Sequence, residues 1–251
     1  MKLSMKSLTL AAGLCATFGF ALSTAAQAEV IVTTGAGYIK MVNALTKAYE
    51  GEGHQKVAKA LGGNIGQMLA QVTQGNGVNV VISDEKALKK FEKNLAAGQV
   101  HLGDTPLVMV WRKGLTLSAP SDILKDDIKT VAHPDPKAAI YGRSAATWLK
   151  NTGYGEKIAG KIRAANHVPQ VYSYVATGDM DVGFVNLSAY RNAPQKVGGH
   201  FEIMDHGAKI HMVAQIVKGA EGDKDVQQFM TFLHSKKAQT IMNKFGVTLA
   251  K

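Results

Sequence analysis

Short apolar runs alternate with longer helical patterns along most of the chain, and this alternation is the feature that most constrains the fold. The first unit is "VIVTTGAGYIKMVNALTKAYE", in which an apolar run passes through a glycine-containing turn into a segment with Met41, Leu45 and Tyr49 at helical spacing. Later apolar runs such as "VNVVIS", "IKTVAHPDP" and "DVGFVNLS" continue the pattern. Alternating strands and helices predict βα units around a mainly parallel sheet, so we expect an α/β fold.

The first 28 residues have the pattern of a secretory signal peptide. Lys2 and Lys6 precede the apolar run "LTLAAGLCATFGFAL", and "AQA" at residues 26–28 supplies the small residues of a cleavage site. The apolar run is shorter than the about 20 residues that a membrane-spanning helix needs. We therefore expect cleavage after residue 28 and export to the periplasm. The only cysteine, Cys15, lies in this segment, so the mature chain has no thiol for a disulfide or a CxxC zinc site.

The chain is basic, with a formal net charge of +10, but the charge is dispersed. Lysines stand among acids in segments such as "KKFEK" and "LKDDIK", no arginine-rich run occurs, and aromatic residues make up 7% of the chain. Nucleic-acid-binding domains usually concentrate their basic residues in a patch. We expect a mild attraction for anions and no nucleic-acid partner.

Two long apolar runs, "PLVMVW" and "IHMVAQIV", stand between blocks of the alternating pattern. We expect these runs to be strands that cross between two lobes. Residues 29–111 and 210–251 would then form lobe 1, and residues 112–209 would form lobe 2 as an insertion. Ligands of α/β proteins bind beyond the carboxyl ends of the strands, so the loops there should face a cleft between the lobes.

Three predicted βα turns place glycine or other small residues at the start of a helix, at residues 35–37, 62–66 and 139–142. The first N–H groups of a helix have no intrahelical partner, and the helix dipole is positive at that end. Glycine lets an anion approach these groups closely. Three such turns around one cleft predict an anion site that needs no cationic side chain. The alternative is that the glycines serve the turns alone.

Several specific segments carry a family resemblance. They include Pro136 followed by "YGR" at residues 141–143, "VATG" at 175–178 followed by "DVGFV" at 181–185, and the closing "FMTFLHSKKAQTIMNKFGV". Together with the opening turn, these segments resemble the periplasmic molybdate-binding proteins of ABC importers, over nearly the whole mature chain. The resemblance implies a type II periplasmic binding fold of two lobes, each a mainly parallel sheet flanked by helices, joined by two crossover strands.

The resemblance also implies a function. A monomer would capture a tetrahedral oxyanion, molybdate or tungstate, in the cleft between the lobes and deliver it to a permease in the inner membrane. It implies neither a cofactor nor a catalytic residue. Transferred position by position, together with the turns above, it implies a set of ligand-binding residues, namely Thr34, Gly35, Gly37, Asn64, Ile65, Ala139, Tyr141, Val168 and Asn186. His133, Arg143 and His167 are expected just behind them.

The pocket positions depart from the family pattern. Where the family usually offers a serine in the first turn, this chain has Gly37, and where it offers adjacent serines in the second turn, this chain has Asn64 and Ile65. Asn186 stands where some members place a tyrosine. A second hypothesis therefore stays open, namely a diverged binding protein that recognises an organic ligand, or a protein partner in sensing or adhesion.

Metal-binding and catalytic patterns are weak. His200, His206 and His211 lie within one stretch, but "HFEIMDHGAKIH" has the pattern of two strand fragments and a turn, whereas helical metal motifs space their histidines four apart. We therefore expect no metal site. The chain contains neither a GxSxG motif nor a GxxxxGK[ST] loop, so we do not expect an enzyme.

Overall fold

The computed structural model describes residues 29–249, so the expected signal peptide lies outside the described residues. Within this range the chain forms two five-stranded sheets with helices packed against them. The expected α/β class and two-lobed arrangement are thereby confirmed. Among residues 29–249 no helix is both long and apolar enough to cross a membrane.

Lobe 1 is built on the first sheet. Its strands are β1 (Val30–Thr34), β2 (Val57–Lys59), β3 (Val80–Asp84), β4 (Val100–Thr105) and β10 (Ile210–Ile216). Its helices are α1 (Ile39–Glu50), α2 (Ile65–Thr73), α3 (Glu85–Lys89), α8 (Lys224–Leu233) and α9 (Lys236–Lys244). The strand order is β2-β1-β3-β10-β4, with β1 parallel to β2 and β3, and β10 antiparallel to β3 and β4.

Lobe 2 is built on the second sheet. Its strands are β5 (Leu107–Trp111), β6 (Val131–Pro134), β7 (Ile162–Ala165), β8 (Val182–Asn186) and β9 (Gly199–Ile203). Its helices are α4 (Ile140–Asn151), α5 (Tyr154–Lys157), α6 (Val168–Thr177) and α7 (Leu187–Asn192). The strand order is β7-β6-β8-β5-β9, with β6 parallel to β7 and β8, and β5 antiparallel to β8 and β9.

The first boundary between the sheets differs from the expected division after residue 111. β4 ends in the first sheet at Thr105, and β5 begins in the second sheet at Leu107, so Pro106 alone separates them. The run "PLVMVW" is therefore not a crossing strand, because β5 pairs with β8 and β9 along its whole length. An apolar run indicates that a strand is buried, but it does not indicate to which sheet the strand belongs. The run "IHMVAQIV" is not a crossing strand either, because β10 pairs with β3 and β4 in lobe 1, and the return to lobe 1 falls before it, at residues 204–209.

The buried apolar side chains of the two lobes form one continuous core, and inner strands of both sheets are completely covered. All residues of β3 and of β5 are buried. β5 is apolar throughout, because both faces of the sheet are covered, whereas β3 ends in the buried polar residues Ser83 and Asp84. On α1 the predicted stripe of Met41, Leu45 and Tyr49 is wholly buried. The packing of each helix against its sheet fixes where the helix begins. The βα turns that precede the helices are thereby held at the cleft.

Candidate functional site

A pocket between the two sheets is lined by the first residues of four helical segments. Lobe 1 contributes residues 35–38, a 3₁₀ turn that leads into α1, and residues 64–65 at the start of α2. Lobe 2 contributes residues 139–141 at the start of α4 and residues 167–168 at the start of α6. The pocket has a volume of about 310 Å³ with its open mouth included. No lysine, arginine, aspartate or glutamate lines it within the described part of the chain.

The first turn offers the backbone amide of Gly37. The amide of Ala36 donates to the carbonyl oxygen of Gly63 at 2.9 Å, and the amide of Tyr38 donates to that of Gly35 at 2.9 Å. The amide between them is the one at this helix start that a ligand can use.

The second turn is held by a reciprocal cap. The amide of Gln67 donates to Asn64 Oδ1 at 3.0 Å, and the amide of Asn64 donates to Gln67 Oε1 at 2.9 Å. This capping box occupies the acceptor and the backbone donor of Asn64. The amide of Ile65 and the Nδ2 group of Asn64 are the donors that this turn presents to the pocket.

The third turn contributes its backbone, because the Tyr141 hydroxyl is occupied elsewhere. The hydroxyl groups of Tyr38 and Tyr141 hydrogen-bond to each other, and Tyr141 Oη lies 3.4 Å from Thr105 Oγ1. Burial, more than any other cause, raises the pKa of both tyrosines above the usual value, so both hydroxyls stay protonated at neutral pH. Tyr141 therefore faces the pocket with its amide at the second position of α4.

The fourth turn adds a histidine donor. His167 caps α6 by accepting a hydrogen bond from the amide of Gln170 at its Nδ1 atom, at 3.2 Å. A neutral imidazole that accepts at Nδ1 carries its proton on Nε2, so His167 has an N–H group to offer in the pocket wall. Pro169 follows and has no N–H, which makes Val168 the residue whose amide α6 presents.

Asn186 joins the lobes behind the first turn, whereas we expected its side chain to contact the ligand. Its Nδ2 atom donates to the carbonyl oxygen of Gly37 at 2.7 Å, and its Oδ1 atom accepts from the amide of Ala189 at 2.8 Å. The side chain is almost fully buried, and a Cβ atom at Gly37 would lie 3.0 Å from Asn186 Nδ2. Both ends of the carboxamide are therefore occupied, and glycine at position 37 permits the close approach of the lobes.

Further contacts close the lobes around the pocket. The amide of Gly66 donates to the carbonyl oxygen of Ala138 at 3.0 Å. Arg143 Nη2 donates to Asp84 Oδ1 at 2.8 Å, and this carboxylate ends β3 in lobe 1. Arg143 is therefore an interlobe ion-pair partner, and its neutralised guanidinium does not line the pocket.

Two more expected residues lie outside the pocket lining. Thr34 is wholly buried at the end of β1, and its Oγ1 atom has no hydrogen-bond partner within the described residues. His133 is buried, and its Nδ1 atom lies 2.7 Å from the carbonyl oxygen of Pro134.

The other expected positions that the structure brings together at the pocket are Gly35, Gly37, Asn64, Ile65, Ala139, Tyr141, His167 and Val168. Ala36, Tyr38 and Ile140 also line it. The predicted turns already spanned Ala36 and Ile140, whereas Tyr38 lies one residue beyond the first turn, and no side-chain signal distinguished the three.

A cleft between two α/β lobes, lined by helix N-termini and bridged by two short crossovers, defines a solute-binding protein of the type II periplasmic class. Residues 30–248 match the family model described as bacterial extracellular solute-binding protein. The chain belongs to this family. Its members bind solutes and are not enzymes, in agreement with the sequence prediction.

Individual relatives agree with this assignment. The molybdate-binding protein ModA of Rhodobacter capsulatus is 29% identical, with 94% of this chain and 94% of that protein covered. The molybdate-binding protein ModA of Azotobacter vinelandii is 24% identical, with 99% and 100% covered. A solved structure of the Azotobacter vinelandii periplasmic molybdate-binding protein matches with a TM-score of 0.78 and 26% identity, over 89% of this chain and 100% of that one. The resemblance that the sequence motifs predicted is thereby confirmed.

Proposed function

We propose that this protein is the periplasmic receptor of an ABC importer, and that it binds a tetrahedral oxyanion, molybdate or tungstate, in the pocket of helix N-termini. The observation that carries the proposal is the convergence of four helix starts, two from each lobe, on a pocket that no lysine, arginine, aspartate or glutamate of residues 29–249 lines. Helix starts favour anions through their free N–H groups and their dipoles. The similarity to molybdate-binding proteins of two bacteria supports the same ligand class.

The pocket is suited to an anion that carries no proton. Its turns present donors, whereas several of their carbonyl oxygens are already paired, with Gly35 and Gly63 accepting from the first turn and Gly37 accepting from Asn186. A protonated anion such as hydrogen phosphate needs an acceptor for its own O–H group. Molybdate, tungstate and sulfate need only donors, so the chemistry favours these three, and oxyanion size selects among them.

The two-lobed structure also suggests how binding is coupled to delivery. The lobes meet at the pocket through bonds that include Asn186 to Gly37 and Gly66 to Ala138. Opening would break these bonds by rotation about the crossovers at Pro106 and at residues 204–209. A ligand that bonds to both lobes stabilises the closed form, and the permease can recognise that form on a monomeric receptor.

The proposal is tested by a thermal-shift titration with molybdate, tungstate, sulfate and phosphate, followed by calorimetry. Free ligand at 100 times its dissociation constant adds about 2.7 kcal/mol of stability, which is readily measured. We expect a shift with molybdate and tungstate and none with phosphate. No shift with any oxyanion would overturn the assignment of this ligand class.

A larger organic anion is the second candidate, and a neighbouring cavity favours it. On the far side of Gly37 and Val168 lies a space of about 540 Å³, open mouth included, whose wall contains Lys40 and Tyr172. A ligand of this kind would place its anionic group at the helix starts and its organic part in this neighbouring space. A thermal shift with small organic phosphates or carboxylates, and none with molybdate, would support this candidate.

A further inference from the structure

A cluster of metal-ligating side chains lies on lobe 1, away from the pocket. β4 and β10 pair antiparallel, and in this pairing His211 stands directly opposite Asp104. His101 lies three residues before Asp104 on β4. Both strands lead to the crossovers, since β4 ends just before Pro106 and β10 begins just after residue 209. The cluster therefore lies at the point where both connections leave lobe 1.

A β-bulge places the three side chains on one face. Residues three apart on a regular strand point to opposite faces, which would separate His101 from Asp104. Here the register shifts, because Met212 pairs with Gly103 and the next residue, Val213, pairs with His101. Gly103 has a φ of 136°, which an L-residue rarely adopts. The extra residue re-aims the strand, as bulges do, and brings His101 to the side of Asp104 and His211.

The distances within the cluster are close to the spacing of ligands around a small cation, and one of them equals it. One ligand atom from each of the three residues lies within 4.8 Å of the others. His211 Nδ1 lies 2.7 Å from Asp104 Oδ1, and His101 Nε2 lies 3.5 Å from the same oxygen. Bonds of about 2.0–2.2 Å in a tetrahedral zinc site space the ligand atoms about 3.3–3.6 Å apart. Small side-chain rotations suffice to place an ion among the three atoms.

The cluster is open enough for an ion to enter, and neighbouring groups hold the Asp104 carboxylate in place. The histidine side chains are 46% and 40% exposed, whereas Asp104 is 13% exposed. Lys209 Nζ lies 3.3 Å from Asp104 Oδ2, the oxygen that the histidines do not contact, so it orients the carboxylate from behind. The backbone of Asp104 is also fixed, since its amide donates to Thr248 and its carbonyl accepts from the amide of Thr248.

We propose that His101, Asp104 and His211 bind a divalent transition metal, with water completing the coordination. Two imidazoles and one carboxylate suit zinc, nickel, copper or cobalt, whereas magnesium and calcium prefer oxygen ligands alone. The site shares only His211 with the histidine group that the sequence singled out. His200 lies on β9 in lobe 2 and stacks on Tyr190, so it does not meet His211.

The test is a calorimetric titration of tag-free protein, freed of metal by a chelator, with zinc chloride at pH 7.5. We expect one saturable site per chain and no binding of magnesium. His211→Gln and His101→Gln should each weaken zinc binding at least tenfold. His200→Gln is the matched control, because His200 is also a partly exposed histidine beside a carboxylate, 3.8 Å from Glu202. That variant should bind zinc as the unchanged protein does.

Cobalt gives an independent readout of the coordination. Cobalt bound by two histidines, a carboxylate and water should show visible absorption that is absent in His211→Gln. Zinc binding that survives in both His101→Gln and His211→Gln would place the ion elsewhere and overturn the proposal. The absence of saturable zinc binding would overturn it as well. Neither result bears on the oxyanion pocket, because none of the three residues lines it.

Discussion

Tyr38 and Tyr141 meet hydroxyl to hydroxyl between the lobes, and each is almost fully buried. Tyr38 precedes α1 in lobe 1, and Tyr141 lies in the first turn of α4 in lobe 2. The contact thus joins two of the helix starts that line the pocket. It holds the backbone of both turns in register, and the pair itself presents no hydroxyl to a ligand.

Tyr141→Phe should destabilise the closed protein, because it removes a hydrogen-bond partner of the buried Tyr38 hydroxyl. The buried Tyr38 hydroxyl would lose its bond to Tyr141 and keep only the Thr105 hydroxyl nearby, which costs about 0.5–1.5 kcal/mol. The double variant Tyr38→Phe with Tyr141→Phe removes both partners and should be more stable than the sum of the single changes predicts. Urea denaturation of the four proteins without oxyanion measures this coupling. Additive effects would show that the hydroxyls do not interact.

Asn186→Ser should weaken oxyanion binding by loosening the lobes. Serine can still cap α7, as the Asn186 Oδ1 atom now does, but it cannot reach the carbonyl oxygen of Gly37. Loss of a buried hydrogen bond of about 1–1.5 kcal/mol corresponds to roughly a tenfold lower affinity. Asn192→Ser is the control, since it removes an exposed interlobe bond, from Lys40 Nζ at 2.7 Å. If calorimetry finds that Asn186→Ser and Asn192→Ser lower the oxyanion affinity equally, the buried bond from Asn186 to Gly37 contributes no more than the exposed one.

Ala139→Asp should abolish oxyanion binding and leave the fold stable. Ala139 is the N-cap residue of α4 and makes no side-chain cap, so aspartate would bond to the amides that the ligand needs and would repel it. Ala139→Ser caps the same helix without charge and should retain most of the affinity. Calorimetry with molybdate, alongside thermal denaturation, separates binding from stability. Unimpaired binding by Ala139→Asp would show that α4 does not contact the anion.

Asp181 should make stability depend on pH in the acid range. Burial raises the pKa of this carboxyl, but hydrogen bonds from Arg112 Nε at 2.7 Å and from the amides of Lys129 and Thr130 outweigh burial and leave the pKa below its usual value. The unfolded-state pKa, about 3.9, is therefore the higher one. The carboxylate stabilises the fold above about pH 4, and this contribution is lost as the pH falls further, through the folded-state pKa.

The Asp181→Asn variant tests this pH dependence. Its free energy of unfolding should lie below that of the unchanged protein at pH 6, and the gap should narrow as the pH falls towards 3. Denaturant titrations across this range measure the gap. A gap that stays constant with pH would show that ionisation of Asp181 does not stabilise the fold.

The helix starts around the pocket could be predicted because their signals are local. A strand, a small-residue turn and an apolar periodicity lie within about 20 residues of one another, and Asn64 caps α2 as its residue type predicts. β4 had no such signal. Its segment "VHLGDT" contains a bulge at Gly103, which breaks the alternation that marks a half-buried strand.

Roles that depend on a distant partner could not be predicted from local pattern. Asn186 was expected to contact the ligand, but its partner is the carbonyl oxygen of Gly37, 149 residues away. Arg143 was expected behind the ligand, and its partner Asp84 lies 59 residues away. Such contacts form only because the two lobes close on each other. The sequence around each residue contains no pattern from which its distant partner can be predicted.

The oxyanion site can be located directly by crystallising the protein with tungstate and finding the tungsten atom by its anomalous scattering. We expect one tungsten atom in the pocket of helix N-termini, with oxyanion oxygens within hydrogen-bond distance of the amides of Gly37, Ile65, Tyr141 and Val168. Tungsten found only beside surface lysines, with the pocket empty in the same crystal, would show that the pocket is not the oxyanion site.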